Sequence, residues 1–179
     1  PHIFTEHLSR LKDFRKSIYF PRGKRAYLSA ARILPVSAFL RSSVSCLLPE
    51  LPEQRFTVIG NVVDSKIFFY RKEQKDASVI RLCAVATWQH KKKADKMPEL
   101  FIDALAVLQK KTERKMVLTL IGGGNRVPDL QEHCYRVGLT AQFPSFLPKE
   151  DLAEELHKTD IFVHASAIET FSIVVAEAL

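Results

Sequence analysis

The chain has 179 residues, which is enough for one ordinary domain or for parts of two. Apolar residues make up 46% and charged residues 26%, as in globular proteins, and no apolar run reaches the roughly 18 residues of a membrane span. The net charge of +7 indicates either attraction to an anion, such as a nucleotide diphosphate or a membrane surface, or an unevenly charged solvated surface. Because the basic residues follow no DNA- or RNA-binding motif, we expect no nucleic-acid partner.

The cysteines indicate a cellular compartment, and the two ends of the sequence indicate a fragment. Cys46, Cys83 and Cys134 show neither metal-ligand spacing nor a disulfide framework, which favours a reducing, cytoplasmic compartment. No signal peptide and no Met stand at the start, and the last residues lie inside a helix-forming run that no Gly, Asn or Pro ends. Both ends therefore look cut, and we expect the chain to be a fragment.

The first part of the chain predicts short elements only. In chain order we expect the end of a strand at 3–5, a helix over 24–34, a short strand at 33–36 and another at 57–59. The polar run 71–78 is the best candidate for a linker.

After this linker, apolar strand patterns alternate with helical ones. The predicted strands are 79–86, 117–121, 141–146 and 161–165, and the predicted helices are 98–108, 129–137, 148–158 and a last one from 171 onward. This alternation predicts an α/β fold, a Rossmann-like parallel sheet with helices on both faces. Ligands of such sheets bind at the carboxyl ends of the strands.

Two glutamates flank the start of the last predicted helix. Glu169 falls in the loop after a strand, and Glu177 lies about two turns into the helix. The free N–H groups near residues 171–173 predict an anion site, and a carboxylate two turns along suits ribose hydroxyls. The alternative is an ordinary helix start with an early acid and a surface Glu.

The surrounding residues favour the first interpretation. The segment resembles the signature of the retaining glycosyltransferases of family four (the group-one glycosyl transferases), which have the two-domain GT-B fold. The matching residues are Ser166, Glu169, Phe171, Val174, Glu177 and Ala178. The segments 143–152 and 160–163 also resemble the family, and weaker matches are 58–68, 30–37 and 5–7. The resemblance implies that 1–75 is the end of the N-terminal, acceptor-side domain and 76–179 most of the donor-binding domain, truncated at its C-terminus.

The resemblance also implies roles for individual residues. His7 and Glu169 would be catalytic, although a histidine at a strand end is otherwise most often structural. The implied donor-binding residues are Lys96, Phe146, Leu147, Phe171, Ser172, Ile173 and Glu177. The family uses backbone amides and basic side chains instead of a bound cation, so we expect no metal and no cofactor.

The sequence departs from the family pattern at several positions. Thr87 stands where the family has an arginine on the donor diphosphate, and the following loop is longer and holds Lys91, Lys92 and Lys93, which either supply the missing charge or are solvated. Val62, Ala86, Ser145 and Ser172 stand where the family usually has Gly. We interpret Gly122–Gly124 as a tight turn lining the cleft rather than a phosphate loop.

The resemblance implies transfer of a sugar from a nucleotide-diphosphate donor to an acceptor hydroxyl with retained configuration, in polysaccharide or glycoconjugate synthesis. The alternative is a degenerate nucleotide-sugar-binding module without catalysis. The expected partners are the donor, a sugar or lipid-linked acceptor, and a peripheral contact at the inner face of the membrane. The fragment alone is expected to be inactive.

Overall fold

A computed structural model describes residues 2–8, 11–89 and 96–179. The chain forms two compact units. Unit 1 comprises Pro1–Val62 and Ile168–Ser172, and unit 2 comprises Val63–Ala167 and Ile173–Leu179. In the described part of the chain, no helix combines the length and the apolar character that crossing a bilayer would require.

Unit 1 is built on a pair of parallel strands. The strands β1 (Ile3–Glu6) and β2 (Arg32–Pro35) pair in register from Ile3 with Arg32 to Glu6 with Pro35. Its helices are α1 (Leu11–Phe14), α2 (Phe20–Ser29) and α3 (Ala38–Leu47), followed by a 3₁₀ turn at Glu53–Arg55. The core contains Tyr27, Ile33, Leu40 and Val44, all at most 2% exposed.

Two predictions for unit 1 were wrong in their bounds. The helix predicted over 24–34 occupies Phe20–Ser29, because Arg32–Pro35 is extended and pairs with β1. The strand predicted at 57–59 is reduced to one bridge between Phe56 and Ile33, although the backbone N–H of Thr57 still donates to the carbonyl of Ile33 at 3.0 Å. Helix α3 was not predicted; the hydroxyl of Ser37 caps it by accepting the N–H of Leu40 at 3.1 Å.

Unit 2 contains a four-stranded, all-parallel sheet in the order β5-β4-β3-β6. The strands are β3 (Val79–Val85), β4 (Lys115–Ile121), β5 (Thr140–Gln142) and β6 (Ile161–Phe162). The helices are α4 (Pro98–Gln109), α5 (Val127–Val137), α6 (Lys149–Lys158) and α7 (Ile173–Ala178). The predicted α/β class with a parallel sheet flanked by helices is confirmed.

The central strand β3 explains why this sheet could be predicted. Leu82 and Ala84 join residues of α4 and α5 in one apolar cluster, while Cys83 faces the side of α6 near Thr159. All three residues are at most 2% exposed. A strand covered on both faces is a continuous apolar run rather than an alternating one, which is the pattern of 79–86. Burial also raises the pKa of the Cys83 thiol to about 12, so this cysteine packs as a small hydrophobe.

The other elements of unit 2 depart from prediction at their ends. The strands β5 and β6 are shorter than the predicted 141–146 and 161–165, and α7 begins at Ile173, not at Phe171. Ser172 has φ +61°, a left-handed conformation that an α-helix does not contain. Gly138, with φ +73°, ends α5.

The first change between the units lies after Val62, earlier than the domain boundary predicted at residue 75. Residues 63–75 pack with unit 2: the guanidinium of Arg71 forms two hydrogen bonds with the carboxylate of Glu154, at 2.9 and 2.8 Å. The carbonyl of Phe69 is 2.9 Å from Nε2 of His157. The domain division of the complete protein stays a prediction.

Candidate functional site

The loops that follow β3, β4 and β5 are joined by backbone hydrogen bonds. The N–H of Trp88 donates to the carbonyl of Gly123 at 2.9 Å, and the N–H of Gly122 donates to the carbonyl of Pro144 at 3.1 Å. In a parallel sheet these loops share the carboxyl edge. The edge of unit 2 at which a ligand is expected is therefore one connected backbone surface.

The glycines after β4 are required by this close packing. Gly122 and Gly124 have φ +118° and +148°, and a Cβ at these positions would lie 2.0 Å from the carbonyl oxygen of Ala86 and 1.9 Å from that of Trp88. The turn itself lies at 125–126, where the N–H of Val127 donates to the carbonyl of Gly124 at 3.3 Å, and the predicted role of 122–124 in lining a cleft stays a prediction.

Phe146 lies over the middle glycine of 122–124. A Cβ on Gly123 would lie 2.8 Å from Cε2 of Phe146, yet the phenylalanine is 65% exposed. Leu147 is half-buried and lines an open cavity of about 690 Å³ together with Gln142, Phe143, Pro144 and Asp151. Phe146 therefore lies at the connected edge, whereas the cavity that Leu147 lines continues along α6 to Lys158.

Lys96 is fixed through its backbone. It forms an antiparallel bridge with Ser166 in the loop after β6, and the N–H of the next residue, Met97, donates to the carbonyl of Ala165 at 3.0 Å. Nη1 of Arg126 donates to the carbonyl of Lys96 at 3.3 Å. The backbone at Lys96 and Met97 is therefore held by two neighbouring segments. Lys91, Lys92 and Lys93, which were proposed as alternative cations, lie outside the described residues.

Arg126 is a buried cation that the sequence analysis missed. It is 8% exposed, and its guanidinium pairs with Glu99 in the first turn of α4. Its N–H donates to the carbonyl of Trp88 at 3.1 Å, so the residue ties the β3 loop, the start of α4 and the start of α5 together. The only available signal was an arginine placed between a glycine turn and a Val-Pro helix start.

Glu177 lies on α7 and is half-buried. Burial raises the pKa of its carboxyl above the usual value of 4.5, while the nearby charge of Lys149 at the start of α6 lowers it. Ile173, another predicted donor contact, is the first residue of α7 and is exposed. A half-buried carboxylate with a lysine nearby is suited to accepting hydrogen bonds from hydroxyl groups.

The remaining predicted residues belong to unit 1. His7 is exposed and follows β1 directly. The preceding Glu6 is buried, its Oε1 accepts the N–H of Leu8 at 2.5 Å, and burial raises the pKa of its carboxyl. Glu6 therefore fixes the turn from which His7 projects.

The segment Ile168–Ser172 also belongs to unit 1. Glu169 within it is half-buried. Phe171 packs against the unit 1 core, and a Cβ on Gly60 would lie 2.8 Å from its ring. Its side chain therefore serves packing, and its donor contact stays a prediction for the backbone. The hydroxyl of Ser172 is buried and finds no hydrogen-bond partner among the described residues.

The backbone conformation at Ser172 shows why the family has glycine at one of the four positions where this sequence departs from it. Within the described part of the chain it is the one non-glycine residue with positive φ. Val62, Ala86 and Ser145 have no such requirement. A side chain at Ser172 costs strain that glycine would avoid.

No group of three His, Cys, Asp or Glu side chains is placed to hold a metal ion within the described ranges. Metal-independent chemistry stays a prediction.

Comparison with known protein families identifies the family to which the chain belongs. Residues 90–179 match the model of a family described as glycosyl transferases group 1. The chain belongs to the group 1 glycosyltransferases. No curated protein sequence matches it significantly.

Solved structures show the same GT-B fold. A TarM mutant of S. aureus, in complex with fondaparinux, alpha-GlcNAc-glycerol and UDP, is similar with a TM-score of 0.73, 13% identity and coverage of 98% of this chain and 34% of that one. WaaG, a glycosyltransferase involved in lipopolysaccharide biosynthesis, is similar with a TM-score of 0.72 and 14% identity, and the match covers 98% of this chain and 53% of WaaG. Sucrose-phosphate synthase from Thermosynechococcus elongatus is similar with a TM-score of 0.71 and 17% identity, and the match covers 98% of this chain and 47% of the synthase. The chain thus spans about a third to a half of the length of these proteins.

Proposed function

We propose that the protein containing this chain transfers a sugar from a nucleotide-diphosphate donor to an acceptor hydroxyl with retained anomeric configuration. Membership of the group 1 glycosyltransferases supports the transfer. The observation that carries the donor assignment is the backbone of Lys96, tied to the β6 loop through Ser166 and to Arg126. A cation on a fixed loop at the carboxyl edge of a parallel sheet is suited to a diphosphate, which leaves with developing negative charge.

The donor is held at both of its ends in this proposal. Lys96 binds the diphosphate, and Glu177 accepts hydrogen bonds from the ribose hydroxyls. Phe146 and Leu147 contact the nucleoside, since they lie in the loop beside the glycine turn. The hydroxyl of Ser172 donates to the donor phosphate; that it has no hydrogen-bond partner among the described residues supports this role.

The catalytic groups are His7 and Glu169. Glu169 orients the donor sugar for departure, and His7 faces that sugar. Both roles follow the family resemblance. The exposure of His7 and the anchoring of its turn by Glu6 are compatible with a side chain that meets a ligand.

One observation favours a second candidate, a nucleotide-sugar-binding module without catalysis. Thr87, at the position of the family's diphosphate arginine, is exposed and uncharged. The nearby Arg126 does not replace that arginine, because it is buried and already paired with Glu99. With one cation fewer on the diphosphate, binding could persist while departure of the leaving group is slowed.

The proposed biological role depends on which acceptor receives the sugar. We propose synthesis of a polysaccharide or glycoconjugate on the cytoplasmic side of the membrane, with a sugar or lipid-linked acceptor. The fold likeness to WaaG and TarM supports this assignment.

The test is an assay of the full-length protein with a panel of UDP- and GDP-sugars and simple sugar acceptors, with NMR of the product to read the anomeric configuration. We expect turnover with retention that survives EDTA. Binding without turnover of any donor would favour the module. Inversion, or loss of turnover in EDTA with recovery in manganese, would overturn the mechanism.

A further inference from the structure

Helix α4 is apolar toward solvent as well as toward the core of unit 2. The side chains that face the core are at most 9% exposed and include Ile102, Leu105 and Ala106. On the opposite side, Leu100 is 60% exposed, Val107 54% and Leu108 48%. A surface helix normally carries polar and charged residues on the side away from the core, and a helix that is apolar all round is covered all round. The outward side of α4 therefore has the composition of a covered surface.

These outward residues form one continuous stripe. At roughly 100° per residue, Leu100 and Val107 lie within about 20° of one another around the helix axis, with the exposed Ala104 between them in sequence. Leu108 lies one turn after Ala104 and widens the stripe. The four and three residue steps from 100 to 104 to 107 are those of the seam along which two helices pair. We call Leu100, Ala104, Val107 and Leu108 the α4 stripe.

The charges beside the α4 stripe make it complementary to itself. Asp103 and Lys110 lie on the same flank of the stripe, seven residues apart, and both are exposed. Asp103 keeps 60% exposure although its Oδ1 is 2.7 Å from Nε2 of His133 on α5. When two identical helices pair antiparallel about a two-fold axis, each flank meets the same flank of the other copy. Each Asp103 then faces the Lys110 of the second copy, so one such dimer contains this pair of opposite charges twice.

We propose that the α4 stripe is a dimerisation surface, on which α4 of a second copy of this protein packs in antiparallel orientation. The two Val107 side chains meet near the two-fold axis, each Ala104 lies against the Leu108 of the other copy, and the Asp103–Lys110 pairs set the register. One pair of helices buries less than the roughly 1,200 Å² of a standard interface, so the dimer is a weak one. This inference uses none of the donor-site residues and stands or falls independently of the proposed sugar transfer.

Sedimentation velocity of the full-length protein tests the proposal. From about 1 to 100 µM we expect a concentration-dependent shift from monomer to dimer, as for an interface of less than standard size. Val107→Gln with Leu108→Gln keeps good helix formers and should raise the dissociation constant about a hundredfold or more, because four apolar side chains per dimer lose their burial. The control is Ile18→Gln with Phe39→Gln, at residues of unit 1 that are 84% and 60% exposed, and it should dimerise like the parent.

Charge reversal tests the register of the two helices. Lys110→Asp places two acids opposite each other, and Asp103→Lys places two lysines there, so each variant alone should dimerise about tenfold or more weakly than the parent. In an equimolar mixture of the two variants, every acid again faces a lysine. The mixture should therefore form a heterodimer with nearly the affinity of the parent.

Three results would overturn the proposal. The first is a full-length protein that stays monomeric up to about 100 µM, the range in which a small interface is detected. The second is a dimer that the Val107/Leu108 variant leaves intact, or one that the mixture of charge variants does not restore. The third is a melting temperature of the Val107/Leu108 variant several degrees below that of the parent, measured at a concentration where both are monomeric, because the stripe would then be covered within its own chain.

Discussion

The buried guanidinium of Arg126 donates to the main-chain carbonyl of Lys96 at 3.3 Å, across 30 residues of sequence. The same guanidinium pairs with Glu99. A lysine side chain can be placed for a ligand only if its backbone is fixed, and Arg126 fixes it without reaching the ligand itself.

Arg126→Met should therefore lower both stability and donor affinity. The variant leaves the Lys96 carbonyl without its guanidinium donor, and Glu99 is exposed enough to regain water, so we expect a loss of about 1.5–3 kcal/mol in the free energy of unfolding. The Michaelis constant for the donor should rise. Urea denaturation and initial rates measure the two effects. Arg136→Met, at an exposed arginine in the last turn of α5, is the control; equal behaviour of the two variants would remove Arg126 from this role.

The glycine turn after β4 should respond unequally to alanine. Gly122→Ala and Gly124→Ala place a Cβ within 2.0 Å of a backbone oxygen and force positive φ on alanine, so each should cost more than about 2 kcal/mol. In Gly123→Ala the new Cβ meets only the ring of Phe146, an exposed side chain that can turn away. That variant should stay folded but bind donor less well. Melting temperatures of the three variants provide the test, and a similar cost at all three positions would contradict it.

Ser172 should separate stability from binding. Ser172→Gly relieves the left-handed strain and removes a buried hydroxyl without a partner, so it should stabilise the fold by about 0.5–1 kcal/mol after the entropy cost of glycine. It should also weaken nucleoside diphosphate binding about tenfold, because a hydrogen bond to a charged group is lost. Ser172→Ala keeps the strain but should show the same loss of affinity. Unchanged affinity in both variants would mean that the hydroxyl does not meet the donor.

Glu6 should make the stability of the protein depend on pH. Burial raises its pKa in the folded state above 4.5, so the folded state holds the proton more tightly. The stabilisation is fully present below pH 4.5 and is lost as the pH rises through the folded-state pKa. Glu6→Gln keeps an oxygen for the N–H of Leu8 and should be more stable than the parent at pH 7, with the difference vanishing near pH 4. A variant that is less stable than the parent at pH 7 would contradict this.

The sequence was informative where a residue's surroundings lie on its own element. The apolar run of β3 and the glycine that ends α5 are local signals, and both elements formed as expected. Helix α3 was missed although Ser37 and the i, i+4 pair Leu40 and Val44 are ordinary local signals, so this omission was avoidable.

Other features depend on contacts that no local pattern contains. Arg126 acquires its role from Lys96 and Glu99, which are 30 and 27 residues away. The late start of α7 follows from the φ of Ser172, which its amino-acid type alone would not suggest.

Calorimetric titration of the full-length protein with UDP and GDP tests the central claim most directly. We predict that a nucleoside diphosphate binds, and that Glu177→Ala weakens binding by about 1.5–3 kcal/mol because charged hydrogen bonds to the ribose are lost. Glu169→Ala should bind the bare diphosphate like the parent while lowering turnover with the sugar donor, since its contact is to the sugar. If neither nucleotide binds, or if Glu177→Ala binds the nucleotide as tightly as the parent, the donor site is not where we have placed it.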